Sequence, residues 1–479
     1  MGSRFASLSE DIMKEEQRYE RLKSVFLSII FFLIIAGYTL SRELKSSIFI
    51  AVVGKGFAPA AKFLALFVLT PAILLYAKMV DSVRRYQLLM YCAAFFGITG
   101  LLFTFFIGHQ TIGIANTEAH PLRLFGWLFY FFVEGFSPFV VSVFWAFANS
   151  ITSPEEGKKN YGPMVATSKL GGALSAGFGW ALFSWSSHFK KIMSGVALHQ
   201  LVLGISSLMI VLVPVVVYLL IKRVPGRYLH GYEAAYQLEK QHTKEDKNEH
   251  SRAKTKQGEG VLGGLYMLLR YPYVFGIFGM VFFYEIIDTV IGFLRLSIGQ
   301  AHAEDISGLS AFLFKTIFVS HVAGIFVSYF GTSILLSWLG ERLCLLLIPI
   351  LSGTMLLYFM IDMNPMALIV ACTILKAVHY GFSLPVRESL YIPTVKEIKF
   401  KSKSWIDAFG SKFARATGSA FNYYSVGFGP ALFLPIHAFL FAFLIGAWVV
   451  TAFLLGRRFD QAVSKNEVIG NEVIEGDSE

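Results

Sequence analysis

Residues 25–54 read VFLSIIFFLIIAGYTLSRELKSSIFIAVVG, and the charged side chains Arg42, Glu43 and Lys45 interrupt an otherwise apolar run. About 20 apolar residues are enough for a helix to cross a bilayer, so the stretch predicts a membrane span. The rest of the chain repeats the pattern. Of 479 residues, 55% are hydrophobic, 16% aromatic and only 15% charged, against roughly 25% charged in an ordinary soluble domain. Mean hydropathy is +0.58. That leaves too little polar surface to wrap several soluble domains. The 47 Phe and 21 Tyr exclude disorder, collagen and coiled coil. The expected class is an all-α polytopic membrane protein.

Apolar runs place twelve transmembrane helices near 24–45, 58–80, 86–108, 123–150, 162–186, 197–221, 272–296, 309–338, 342–362, 364–393, 405–428 and 431–456. Basic residues gather in the N-terminal segment (Arg18, Arg21, Lys23) and after even-numbered spans (Arg84 and Arg85; Lys158 and Lys159; Lys396, Lys399, Lys401 and Lys403; Arg457 and Arg458). Connections after odd spans are poorer, with Lys190 and Lys191 the awkward pair. The positive-inside bias therefore predicts both termini in the cytoplasm, which requires an even span count. Residues 1–23 mix acids with bases, unlike a cleavable signal. The long polar stretch 222–260 reads as a solvated linker. The expected organisation is a cytoplasmic segment 1–23, a six-helix bundle 24–221, the linker, a second six-helix bundle 261–456 and a cytoplasmic tail 457–479. That is a secondary-transporter layout, with a substrate site expected near the midplane between the halves.

The net charge of +10 raises nucleic acid as a partner, but acids and bases interleave in the linker and no aromatics punctuate them. The lipid bilayer is the expected partner instead. Cys92, Cys344 and Cys372 lie in apolar runs without ligand spacing, so neither metal nor cofactor is expected. The chain has no GxxxxGK[ST], HExxH, CxxC or GxSxG motif, which argues against a nucleotide-hydrolysing pump or an enzyme.

Ionisable side chains inside spans cost about 2.5–3.5 kcal/mol each on insertion scales, so each should face a partner or a watery cavity. Span 1 carries Arg42, Glu43 and Lys45. Span 4 carries Glu134 within FFVEGFSPFVV. Span 7 carries Glu285 and Asp288 within FFYEIIDTVIGF, at i and i+3 and hence on one helix face. Salt bridges between the halves are the structural alternative for these acids. Span 10 holds Lys376, His379, Arg387, Glu388 and Tyr391. In span 11, Lys403, Asp407, Lys412 and Arg415 follow, and the spacing of Lys403, Asp407 and Arg415 predicts one stripe along a helix. A basic stripe facing a cavity would hold phosphate or carboxylate oxygens. Small residues recur every four positions, Gly410, Ala414 and Gly418 in span 11 and Gly172, Ala176 and Ser175, Gly179 in span 5, which predicts close helix packing. Lys169 just ahead of Gly171 and Gly172 parallels Arg415 ahead of Gly418.

These motifs resemble those of the bacterial and plastidic nucleotide transporters, the ATP/ADP translocases of obligate intracellular bacteria and plastids. GYTLSRELKSSIFIAVVG is similar to the family's first-helix segment, where Arg-Asp-x-Lys-Asp follows an aromatic-rich run. FWAFANSIT, with Asn149, resembles Phe-Trp-Gly-Phe-Ala-Asn followed by Ile-Thr. HYGFSLPVRESLYIP and KFKSKSWIDAFGSKFARATGS resemble the family's consecutive span 10 and span 11 blocks. Order and spacing agree over nearly the whole chain.

The resemblance implies a major-facilitator-like fold and exchange of a nucleotide, most readily ATP against ADP, across the inner membrane of an intracellular bacterium. Lys45, Glu134, Glu285 and Lys403 fall on charged positions that matter for transport in the family. Lys45, Arg42, Lys403, Lys412, Arg415 and Arg387 are then cast as phosphate partners. Glu134, Glu285, Asp288, Asp407 and Glu388 are cast as gating or coupling acids, and Asn149, Lys169, Tyr391 and His379 as further candidates. The departures are Ser46 for the second acid of the first motif, Leu384 for an Asp, His379 for a Lys, and Arg-Ala-Thr-Gly at 415–418 for Lys-Ser-Gly-Gly. Changed charges alter what a site prefers. Uptake of another nucleotide, NAD or a non-nucleotide organic anion, with or without protons as coupling ion, therefore stays open. A permease for a peptide or sugar phosphate, or an accessory membrane subunit, are the rival readings.

Overall fold

The computed structural model describes residues 2–152, 154–185, 193–225, 263–327, 332–395, 398, 402–465 and 467–470. In chain order the helices are α1 (Gly2–Val52), α2 (Ala58–Ser82), α3 (Arg85–Ile107), α4 (Leu124–Phe136), α5 (Ser142–Ile151), α6 (Pro154–Ser184), α7 (Gly195–Arg223) and α8 (Gly263–Arg270). They continue with α9 (Pro272–His302), α10 (Ile306–Phe326), α11 (Thr332–Ile361), α12 (Pro365–Val378), α13 (Leu384–Ser389), the short α14 (Lys403–Trp405), α15 (Ser411–Ser425) and α16 (Pro430–Ser464). Apart from the pairing of Thr394 with Ile469, the described residues form no strand. The expected linker 222–260 and the basic residues Lys190, Lys191, Lys396, Lys399 and Lys401 lie wholly or mostly outside the described residues.

Among the described residues, eight helices are long and apolar enough to cross a membrane: Lys14–Val52, Arg85–Ile107, Leu124–Ile151, Gly195–Arg223, Pro272–His302, Ile306–Phe326, Trp338–Ile361 and Ala431–Ser464. The other expected spans fall on α2, α6, the α12–α13 path and the α14–α15 path. α1 runs unbroken past Arg42, Glu43 and Lys45, so the cluster lies inside one helix. It ends where Gly54 takes φ 110°, a left-handed conformation that glycine adopts without a Cβ penalty. Ser194 caps α7 by accepting from the Ala197 N–H at 3.2 Å, and Asn364 caps α12 through Ala367 N–H at 2.8 Å. The expected span 309–338 takes in α10 and the start of α11, with residues 328–331 outside the described ones, and the break at Gly340, where φ is 70°, falls between that span and the expected 342–362.

Among the described residues, three five-residue segments are π-helical: Ser137–Val141, His379–Ser383 and Ile406–Gly410. Each closes with an i→i−5 bond, from Ser142 N–H to Ser137 O, Leu384 N–H to His379 O and Ser411 N–H to Ile406 O. Pro138 explains the first. A proline has no N–H for the carbonyl four residues back and its ring presses on that carbonyl, so the helix widens locally.

The chain forms two compact units. Unit 1 comprises Met1–Gly54, Phe67–Lys254 and Glu304–Phe318. Its core stacks Phe31 on Phe144 at 4.5 Å and Tyr38 on Phe136 at 5.0 Å, backed by Ile210, Val213 and Val217 of α7. Gly171 lets α6 approach α1, since a Cβ there would lie 2.9 Å from the Phe32 carbonyl oxygen. Unit 2 comprises Lys55–Leu66, Thr255–Ala303 and Val319–Glu479. In it, a Cβ at Gly418 would meet Thr289 at 3.0 Å and Ile286 O at 3.1 Å. The small-residue stripes thus bring α6 onto α1 and α15 onto α9, the close backbone packing that drives helix association where lipid removes the hydrophobic effect.

Candidate functional site: ion pairs within the helices

The charged residues of the spans meet one another. In unit 1, Lys45 of α1 is ion-paired with Glu134 of α4. The Lys45 ammonium also lies 4.5 Å from the centroid of Tyr130, a cation–π contact that helps hold a buried cation. One turn earlier Arg42 bonds Glu43 at 3.1 Å and lies over Tyr38.

In unit 2, Arg415 of α15 grips Glu285 of α9 with two bonds, Nε to Oε2 at 2.7 Å and Nη2 to Oε1 at 2.9 Å. Such a fork fixes direction as well as charge. One turn along α9, Asp288 is 3.2 Å from Lys376 of α12. Arg387 of α13 is 3.2 Å from Asp407, and Lys403 donates to Glu388 at 2.5 Å while lying over Tyr391 at 5.5 Å. His379 stacks flat on Tyr284, centroids 3.4 Å apart and 2° from parallel.

Glu285 and Asp288 do share a face, and from it they reach two different helices. Lys403, Asp407 and Arg415, expected along one stripe, take three separate partners: Glu388, Arg387 and Glu285. Each of these five pairs lies inside one unit.

Of the remaining candidates, Asn149 accepts from the Tyr161 hydroxyl at 2.7 Å. Lys169 and Lys412 are half-buried on α6 and α15. Sequence reading missed the pair formed by Lys23 and Glu156, 2.7 Å apart and 2% and 6% exposed, with Lys23 also donating to Ile151 O at 3.0 Å. Lys23 stood out only as a basic residue ahead of the first span, and Glu156 as one acid among many in a polar connection. Lys376 was visible as a base in span 10, but its partner Asp288 lies 88 residues earlier (376 − 288), beyond the reach of any spacing rule.

A model of the family described as TLC ATP/ADP transporters matches residues 4–120 and 122–459. The chain belongs to that family, and it is a transporter and not an enzyme. ADP,ATP carrier protein 5 of Rickettsia prowazekii (strain Madrid E) is 24% identical over 489 residues, covering 90% of this chain and 93% of the relative. Among solved structures, the nucleoside transporter NupG superposes with a TM-score of 0.58 at 13% identity, over 91% of this chain and 99% of its own. A D-xylose-proton symporter gives 0.57 at 12%, over 91% and 96%. The fold is thus the major-facilitator-like helical fold expected from the sequence.

Proposed function

We propose that this chain exchanges nucleotides, ATP against ADP in the first instance, by alternating access, and that phosphate oxygens displace carboxylates from the bases described above. The observation that carries this reading is the pairing itself. Lys45, Arg387, Lys403 and Arg415, four of the bases cast as phosphate partners, each hold a carboxylate. A carboxylate and a phosphate present the same kind of charged acceptor to ammonium and guanidinium groups. With no ligand bound, the acid keeps the base from standing alone, which for the buried Lys45 would cost several kcal/mol. With a triphosphate bound, the base changes partner and the acid is released, so occupancy of the site is reported to the helix bearing the acid. The family description and the relative's name, an ADP,ATP carrier, support the substrate class. On the same reading the chain binds ATP, sits in a bacterial inner membrane and keeps both termini in the cytoplasm.

The test is thermal unfolding of the purified protein in detergent against ATP, ADP, GTP, UTP, NAD, sugar phosphates and inorganic phosphate. A ligand at 100 times its Kd stabilises by about 2.7 kcal/mol, enough to detect. Stabilisation by ATP and ADP, lost in Lys403→Ala, is the expected result. Stabilisation by a non-nucleotide solute alone would overturn the substrate class and leave the fold standing.

A further inference from the structure

Away from the ion pairs, unit 1 holds a fully buried line of polar atoms. His199 stands at the start of α7, Ser310 on the second turn of α10 and Ser47 near the end of α1, each 0% exposed. The His199 Nδ1 is 2.7 Å from Gly195 O, and its Nε2 is 2.9 Å from Ser310 Oγ. Ser310 Oγ is 2.8 Å from Ser47 Oγ, which is 3.1 Å from Leu44 O. Phe183 of α6 closes one side of the imidazole at 4.7 Å.

Counting protons along this line gives two complete solutions. A carbonyl only accepts, so the contact with Gly195 puts a proton on Nδ1. In the neutral ring Nε2 is then a lone pair, so Ser310 donates to it and Ser47 donates to Ser310. The contact with Leu44 O is left without a proton. Add one proton at Nε2 and the direction reverses. The ring donates to Ser310, Ser310 to Ser47 and Ser47 to Leu44 O, and all four contacts are filled. The two states differ by rotation of two hydroxyls, with no heavy atom displaced. A buried imidazolium is tolerable only where its donors are satisfied, and this line satisfies both. Asp305 caps α10 through Gly308 N–H at 2.8 Å. The faces of α1 and α6 that pack here present Ser47 and Phe183.

We propose that His199, Ser310 and Ser47 form a proton-binding site, separate from the ion pairs, and that its occupancy couples a proton to transport. The incoming proton comes from water and rests on Nε2, and no other bond is made or broken. Because Ser310 belongs to the first turns of α10 while His199 and Ser47 belong to α7 and α1, any movement of α10 that breaks the line removes the acceptor for the added proton. Coupling rests on the transport reading above, whereas proton binding does not depend on which solute is carried.

The experiment has two arms. Solid-state NMR of the 15N-histidine-labelled protein in lipid reads the ring directly, without a substrate. The His199 imidazole is expected to gain a proton at Nε2 as pH is lowered from about 7.5 to about 3, with that signal missing in His199→Gln. A ring that stays neutral over the whole range overturns the site. The second arm is ATP/ADP exchange in liposomes as a function of pH. The wild-type rate should show a limb of about tenfold per pH unit, which is flat in His199→Gln. In Ser47→Ala the limb is retained but moved to lower pH, because the protonated chain has lost its terminal donor to Leu44 O. An unchanged profile in His199→Gln overturns the coupling. Absence of any ATP exchange in wild type overturns the substrate reading alone, since the first arm still decides proton binding.

Discussion

Glu134 and Lys376 occupy matching places: each lies three residues ahead of a π-helical segment, Ser137–Val141 for one and His379–Ser383 for the other, and each pairs with an earlier helix of its own unit. The charges are reversed, base on α1 and acid on α4 in unit 1, acid on α9 and base on α12 in unit 2. A π turn leaves the helix wider and weaker at that point, so the charge that precedes it sits beside the place where the helix bends most readily. Lys45→Ala should therefore lower exchange severely and destabilise the protein by about 2–3 kcal/mol, somewhat under the 3–5 of a fully buried pair. Exchange of the pair, Lys45→Glu with Glu134→Lys, should recover stability more than transport. Parallel transport and unfolding assays check both halves of that expectation.

The pair formed by Lys23 and Glu156 is buried more completely than any in the candidate site. Lys23→Ala removes the ammonium from a buried carboxylate and should cost about 3–5 kcal/mol in thermal unfolding. Lys23→Met with Glu156→Leu removes both charges, and the double variant should come back to within about 1–2 kcal/mol of wild type.

Packing of α6 on α1 predicts a sharp contrast between glycines. Gly171→Ala places a methyl 2.9 Å from a backbone oxygen, which has to move, and overpacking of that kind costs about 1–3 kcal/mol. Gly446→Ala meets nothing within 4 Å and should be neutral or gain up to about 1 kcal/mol from helix propensity. Unfolding midpoints of the two variants, measured side by side, decide the matter.

The tail is tied to the connection after α13. Ile469 N–H bonds Pro393 O at 2.8 Å, Val395 N–H bonds Ile469 O at 3.1 Å, and Glu467 forms an ion pair with Arg458. The hydrogen bond and charge of Arg458 hold the Glu467 carboxyl below its ordinary value. A carboxyl lowered on folding lends stability that is present above its unfolded value and lost as pH falls through the folded one. Amide exchange at residues 467–470 should accordingly rise on acidification beyond the intrinsic trend. In Glu467→Gln it should be fast already at neutral pH and lose that extra dependence.

Much of the fold was legible because hydropathy is additive along the chain. A run such as residues 25–54 needs no partner to be read as a span, and the small residues at 171–179 and 410–418 announce close packing by their size. The candidate residues were legible for the same reason, since a charge inside an apolar run stands out. Their partners were not. Spacing described Lys403, Asp407 and Arg415 as one stripe but carries nothing about the separate partners, Glu388, Arg387 and Glu285, that they take across the fold. The buried line from His199 to Leu44 was invisible for a different reason: single Ser and His residues in a membrane helix carry no pattern until the tertiary structure joins residues 47, 199 and 310.

Five bases and five acids, each matched within its own unit, make a set whose charges sum to zero. A membrane potential acts on an elementary charge with about 2.3 kcal/mol per 100 mV, yet it finds no net handle on this set when the helices move empty. The field then acts on whatever the solute brings. If ATP enters as ADP leaves, one negative charge is carried per turnover, and the potential sets the direction of exchange.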